Sequence, residues 1–306
     1  MKTRRFLAAA AAAALLLSAA GASAQTDTLK KIRESGAITM GVRDASGAMS
    51  FTLGPGSYTG FHVEVCERVV ADIGRALQLE KIHVKYQLVT PQNRIALVQN
   101  GTVDIECGTT TNNTARQKDV AFAPTLYVEG VRIAVKAASG IASPAQFSGK
   151  AVAATTGTTS VQLLRKLKRE GAGEIAEVLA KDNSEGFLLL ESGRVDGFAA
   201  DGQILATLIS KSREPAQYKL LDQVLSVEPI AIMLAKGDPA FKNARRPERG
   251  VAGQERRSRA ALRQVVHAAH SSAQLEGRAA GQRLDEGRLG QSQRQADGGI
   301  RSAMNH

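Results

Sequence analysis

The chain of 306 residues carries 40 Lys plus Arg against 29 Asp plus Glu, a formal net charge of +11, with two Cys and no Trp. That charge belongs to the ends: Lys2, Arg4 and Arg5 supply +3, residues 242–306 supply +7 through 12 Arg and one Lys against six acids, and residues 25–241 keep +1. The high pI therefore does not argue for a nucleic acid as partner, and no internal run reaches the ~20 apolar residues that a membrane span needs.

The basic start, the apolar stretch at 7–20 and the triplet Ala22-Ser23-Ala24 form the pattern of a cleaved secretory signal. The mature chain is expected to begin at Gln25, outside the cytoplasm, and its 282 residues (306 less 24) are enough for two moderate cores. Cys66 and Cys107 suit one disulfide in an oxidising compartment or two buried thiols, and their spacing matches neither a metal site nor a redox pair.

Asp27 and Gly36 bracket a short helix, and a strand at 38–42 follows. Arg43 comes directly after it. In an open α/β sheet ligands sit beyond the carboxyl ends of strands, so Arg43 is placed toward a cleft, with an ordinary surface arginine as the bland alternative. Residues 45–60 are rich in Gly, Ser and Pro and read as a loop. Val65, Val69, Ile73 and Leu77 recur at helical spacing and predict a helix over 61–77, with His62 capping or exposed at its start. A strand is expected at 84–89.

Thr90 as cap and Pro91 at the first helical position open a helix with Ile95, Leu97 and Val98 on its apolar face, and Gly101 ends it. After a strand at 103–106 comes Gly108-Thr109-Thr110-Thr111-Asn112-Asn113-Thr114-Ala115-Arg116, a run of hydroxyls and amides ending in a guanidinium. Such a loop suits a carboxylate, which hydroxyls and backbone N–H groups can surround and Arg can grip bidentately; a solvated polar loop is the alternative.

The pattern restarts near residue 129, with a strand at 131–135, a short helix from Ser143-Pro144 and a strand at 151–154. The turn Thr155-Thr156-Gly157-Thr158-Thr159-Ser160 leads into a helix over 161–169, whose free N-terminal N–H groups form a second anion-receiving element. The Gly-Lys-Ser/Thr ending of a P-loop is missing, so a nucleotide is not expected. A strand at 175–179, a helix at 184–191 and a strand at 195–200 follow, ending in Asp201, a helix cap or a partner for an ammonium group. Residues 220–225 and 229–234 read as strands returning to the first lobe.

Five stretches resemble, in combination, the glutamate/aspartate-binding branch of the periplasmic solute-binding proteins that serve polar amino-acid ABC importers: QNR at 92–94, LVQNGTVDIECG at 97–108, TTNNTARQK at 110–118, SGKAVAATTGTTS at 148–160 and LESGRVDGFAAD at 190–201. The resemblance spans residues 28–241. It implies an α/β, two-lobed type II periplasmic-binding-protein fold, with two open, mostly parallel sheets joined by a two-strand hinge. Residues 25–128 form the first lobe, 129–224 the second, and 225–241 the return.

The same resemblance implies a periplasmic, monomeric protein that is not an enzyme, needs no cofactor or metal, captures L-glutamate or L-aspartate by lobe closure and presents it to an inner-membrane ABC permease. By that resemblance Arg116 and the Thr109–Thr111 loop hold the ligand α-carboxylate, Thr158 and Thr159 add donors, Asp201 pairs with the ammonium, and Arg43 and Arg94 hold the side-chain carboxylate. Three Arg and one Asp give +2, which favours an acidic ligand over glutamine. Pro91 stands where the family often has Ser, and Asn183 where it often has His; both lie near the side-chain end of the ligand.

Periplasmic dehydratases acting on arogenate or prephenate share this fold and supply the rival reading, with Glu106 and Glu129 as the acids to test. From Lys242 the residues lose all aromatics and fill with Arg, Gln, Gly and Ala. This segment reads as a disordered basic tail produced by a changed reading frame, which would leave a non-functional product if the fold fails; a nucleic-acid-binding arm is its rival.

Overall fold

The computed structural model describes residues 27–171 and 173–244. The signal reading at 1–24 and the tail beyond Ala244 lie outside the described residues.

The first helix, α1 (Thr28–Ser35), forms where the local code placed it: the Asp27 side chain accepts from Lys30 N at 2.9 Å, and Gly36 closes the helix at φ +63°. Strand β1 (Ala37–Val42) pairs in parallel with β4 (His83–Leu88) and β5 (Ile105–Glu106). Two later strands, β6 (Val120–Phe122) and β13 (Met233–Ala235), complete this sheet in the order β4-β1-β5-β13-β6, β13 running antiparallel to both its neighbours. Helix α2 (Phe61–Leu77) packs Val63, Cys66, Val70 and Ile73 on one face of the sheet, and α3 (Arg94–Gln99) lies among the apolar residues of the other.

The second sheet has the order β11-β7-β10-β8-β9, formed by β7 (Tyr127–Lys136), β8 (Ala151–Thr155), β9 (Ala176–Ala180), β10 (Gly197–Asp201) and β11 (Tyr218–Leu220). Helices α4 (Thr159–Arg169), α5 (Asn183–Glu191) and α6 (Gly202–Lys211) pack on it. Both sheets are mixed: β10, β8 and β9 run parallel, while β7 is antiparallel to β10 and β11. The hinge is a ribbon. The first residues of β7 pair antiparallel with β12 (Ser226–Ile230), bringing Glu129 opposite Glu228, and the chain then returns through Ala231 and Ile232 to β13.

Several expectations are corrected. Residues 45–60 are not all loop: Phe51–Gly54 (β2) and Ser57–Thr59 (β3) form a hairpin. The strand expected at 220–225 is instead β11, which belongs to the second sheet; Leu221 beyond it is buried in the second-lobe core, so its apolar character reflects packing rather than a strand. Pro91 does not open α3. Residues 91–93 are a turn, Thr90 N donates to Asn93 Oδ1 at 2.8 Å and Asn93 N to Thr90 Oγ1 at 3.3 Å, and the helix begins at Arg94. His62 is fully buried, its Nδ1 2.6 Å from the Gly108 carbonyl, and burial pushes its pKa down to about 4. Finally, α7 (Pro239–Ala244) carries helix through Lys242 and Asn243, where the disordered tail was expected to start. Buried Asp238 anchors this helix, accepting from Thr28 N at 2.8 Å and Phe241 N at 2.9 Å, and Phe241 is buried in the first core.

Cys66 and Cys107 form a disulfide with Cα atoms 6.4 Å apart. It fastens α2 to the residue that leads from β5 into the polar loop.

Candidate functional site

The carboxyl ends of β1, β5, β8 and β10 face one another between the lobes, and the side chains there leave a cavity of about 20 Å³, room for about one water, so a larger ligand enters only when the lobes part. All nine residues singled out from the sequence line it: Arg43, Arg94, Thr109, Thr111 and Arg116 from the first lobe, Thr158, Thr159, Asn183 and Asp201 from the second.

The three arginines define its electrostatics. Arg94 Nη1 donates to the Thr109 carbonyl at 3.1 Å, and its buried Nε has no partner among the described residues. Arg116 donates from Nη1 to the Thr111 carbonyl at 3.0 Å and from Nη2 across the cleft to the Gly157 carbonyl at 3.2 Å. The Arg43 guanidinium, only 2% exposed, makes no hydrogen bond among the described residues. None of the three has a carboxylate partner within 4.0 Å among the described residues. Burial lowers all three pKa values, with proximity to Arg94 adding to the effect on Arg43 and Arg116; each of these falls to about 10 and stays cationic at neutral pH.

Asp201 occupies the N-cap position of α6, but its side chain makes no capping bond, so the helix-cap reading of this residue is corrected. Its carboxyl lines the cavity, and burial followed by repulsion from Glu228 pushes its pKa up to about 7. The N-terminus of α6 is faced instead by Glu129, which lies against the Gly202 and Gln203 N–H groups and accepts from Gly130 N at 2.8 Å. Burial, then Asp201, raises the Glu129 carboxyl to about 8.

The hydroxyls are committed differently from expectation. Thr111 and Thr159, from opposite lobes, both donate to Glu228 Oε2, at 2.5 and 2.9 Å. Thr158 Oγ1 donates to the Thr155 carbonyl at 2.6 Å, and Thr109 Oγ1 to Ser46 Oγ at 3.4 Å. Asn183 is spanned by protein partners: its Oδ1 accepts from Thr155 Oγ1 at 2.9 Å and its Nδ2 donates to the Ala45 carbonyl at 2.7 Å.

Glu228 was missed as an element of the site, and Glu106 entered only as an acid to test in the dehydratase reading. Glu106 is fully buried, accepts from Thr110 Oγ1 at 2.7 Å and lies in the field of Arg43. The balance of +2 is thereby revised: the guanidiniums lie in the fields of Glu106, Glu228 and the half-buried Asp201, whose carboxyl is raised to about 7, and Glu129 beside Asp201 is raised to about 8. What survives is the geometry. The glutamates are held by hydroxyls and backbone rather than by the arginines, and Asp201 is the only carboxyl that lines the cavity among the described residues.

Residues 38–277 match the family of bacterial extracellular solute-binding proteins, family 3, and the chain belongs to that family. The match continues past Phe241, where the resemblance read from the residues ended. An L-glutamate/L-aspartate-binding protein of Pseudomonas aeruginosa is 42% identical over 223 residues, 72% of this chain and 74% of that protein. A glutamate/aspartate import solute-binding protein of Escherichia coli strain K12 is 38% identical over 221 residues, 72% of this chain and 73% of that protein. Among solved structures, an ancestral amino-acid-binding protein described as a precursor of cyclohexadienyl dehydratase superposes with a TM-score of 0.61 at 25% identity, covering 71% of this chain and 90% of that one.

Proposed function

We propose that the protein captures L-glutamate or L-aspartate outside the cytoplasm by closure of its two lobes and delivers it to an ABC permease. The observation that carries this reading is the trio Arg43, Arg94 and Arg116: three buried cations around one small cavity, none paired with a carboxylate within 4.0 Å among the described residues. Buried unpaired charge is costly, and a ligand with two carboxylates removes that cost where a neutral amino acid removes only part of it. Asp201, held above its ordinary range by burial and Glu228, gains a counter-charge when an ammonium arrives. The names of the relatives from Pseudomonas aeruginosa and Escherichia coli support the same ligand class.

The dehydratase reading draws on the ancestral neighbour and on Glu129, whose raised pKa is of the kind an acid catalyst needs. Neither Glu129 nor Glu106 lines the cavity, which favours binding without turnover. Thermal melting with each ligand tests the proposal, since a ligand at about 100 times its Kd adds roughly 2.7 kcal/mol to the native state. L-glutamate or L-aspartate is expected to raise the melt well above any effect of L-glutamine. Conversion of prephenate by the same preparation would show that the protein is an enzyme.

A further inference from the structure

Two amides of the second lobe grip one loop of the first. Gln203, in the first turn of α6, accepts at Oε1 from Ala48 N at 3.0 Å and donates from Nε2 to the Ser46 carbonyl at 3.4 Å. Asn183, at the start of α5, donates to the Ala45 carbonyl of the same loop at 2.7 Å. Gln203 is only 3% exposed and does not line the cavity. The fit is close: Gly47 has φ +59°, and a Cβ there would lie 1.9 Å from Gln203 Oε1.

The gripped loop is itself firm. Ser46 N donates to the Ser50 carbonyl at 2.9 Å, and Arg43 N to Ser50 Oγ at 2.9 Å, so the loop is an extension of the segment that carries the Arg43 guanidinium. Immediately after it, the Phe51 ring lies 5.0 Å from Lys211 Nζ at the far end of α6. One helix of the second lobe thus meets the first lobe at both its ends.

We propose that Gln203, with Asn183 beside it, is a closure latch: a positioning residue that holds the lobes shut and sets the residence time of the ligand. The inference rests on reading the chain as a two-lobed binding protein. When the lobes part, the backbone groups at Ala45, Ser46 and Ala48 and the Gln203 amide are hydrated; when the lobes close, each side supplies the donor or acceptor the other needs, and an amide buried without this loop would be left unsatisfied. The bonds must break before the ligand leaves, whereas a ligand enters those molecules whose lobes are already parted. The latch therefore slows release and leaves capture nearly untouched. Because Gln203 does not line the cavity, its effect is the same for L-glutamate and L-aspartate.

The experiment compares the wild-type chain with Gln203→Ala, Gly47→Ala and the double variant. Release is followed by chasing tritiated L-glutamate or L-aspartate with excess unlabelled ligand, capture by rapid filtration, and folding by circular dichroism. Gln203→Ala is expected to speed release about tenfold while capture changes less than about threefold. Gly47→Ala keeps both partners but wedges them apart, and the double variant is expected to lose less than the product of the single effects, because both act on one contact. Unchanged release, a loss confined to capture, a different factor for the two ligands or full independence of the two substitutions overturns the latch. If the wild-type chain binds neither ligand, it is the ligand assignment that fails. The latch is then judged by small-angle scattering of the unliganded chains: a larger radius of gyration in both variants supports it, and an unchanged radius overturns it.

Discussion

The Arg116 guanidinium of the first lobe donates to the Gly157 carbonyl of the second at 3.2 Å. Gly157 has φ +81°, and a Cβ there would come within 2.7 Å of the Pro91 and Gln92 backbone. The lobes therefore meet here through backbone, which cannot yield as a flexible side chain can. Gly157→Ala is expected to leave the circular dichroism spectrum intact and to weaken L-glutamate binding by about tenfold or more by opposing closure. Calorimetric titration checks this, and unchanged affinity would show that the lobes have room to spare at this contact.

Arg43 predicts an opposite pair of effects. Its guanidinium is buried and makes no hydrogen bond among the described residues, so in the unliganded protein it is a cost. Arg43→Met keeps the aliphatic stem and removes the charge. The unliganded melt is expected to rise by a few degrees, while L-glutamate affinity falls roughly 10- to 100-fold, in line with the ~1.5–3 kcal/mol of a hydrogen bond to a charged group. The preference for glutamate over glutamine should shrink as well. A lower unliganded melt would make Arg43 a structural residue.

These assignments show what the residues disclosed and what they hid. Helix α2 and the Asp27–Gly36 bracket were legible because apolar spacing, caps and a left-handed glycine are local signals. Arg43 and Asp201 were legible because the first directly follows, and the second ends, a strand whose apolar run is plain. The commitments of Thr111 and Thr159 were hidden, because their acceptor Glu228 lies 117 and 69 residues away and sits beside Pro229 in a short ribbon strand. Hairpin β2–β3 was hidden because its strands are short, join neither of the two large sheets and are surrounded by Gly, Ser and Pro. Asn183 was placed in the cavity, but its amide is divided between Thr155 and Ala45, which no local pattern reveals.

Two raised carboxyls make the protein sensitive to pH. Asp201 moves from 3.8 to about 7, through burial and then Glu228, against the opposing fields of Arg94, Arg116 and Arg43; Glu129 moves from 4.5 to about 8, through burial and then Asp201. The folded state holds these protons more tightly than the unfolded chain. Their contribution to stability is thus fully present below about pH 4 and is lost as the pH rises toward 7 and 8. The unliganded melt is expected to fall across that window, and Asp201→Asn to flatten part of the fall.

Ligand binding carries the complementary signature. An ammonium beside Asp201 favours the ionised carboxyl, so binding near pH 7 should release protons and affinity should drop as the pH falls below about 7. Titrations in buffers with different ionisation heats measure the proton count. Equal apparent enthalpies in wild type and Asp201→Asn would separate Asp201 from the ammonium.

The Cys66–Cys107 bridge closes a sequence separation of 41 residues that includes β4, α3 and β5. The chain-entropy relation assigns such a loop about 4 kcal/mol of stabilisation. Replacing both cysteines by Ser is expected to lower the melt sharply and to weaken binding less than any cavity arginine substitution does. A loss of binding in a variant whose melt is unchanged would tie the bridge to the polar loop itself.

On the proposed reading, three guanidiniums without a carboxylate partner among the described residues select a ligand with two carboxylates. Isothermal titration of the wild-type chain with L-glutamate, L-aspartate and L-glutamine at one pH tests it most directly. Saturable one-site binding of L-glutamate or L-aspartate is expected, with an affinity for L-glutamine at least about tenfold lower, the loss of one charge-assisted hydrogen bond. Binding of L-glutamine as tightly as either acidic amino acid would contradict it.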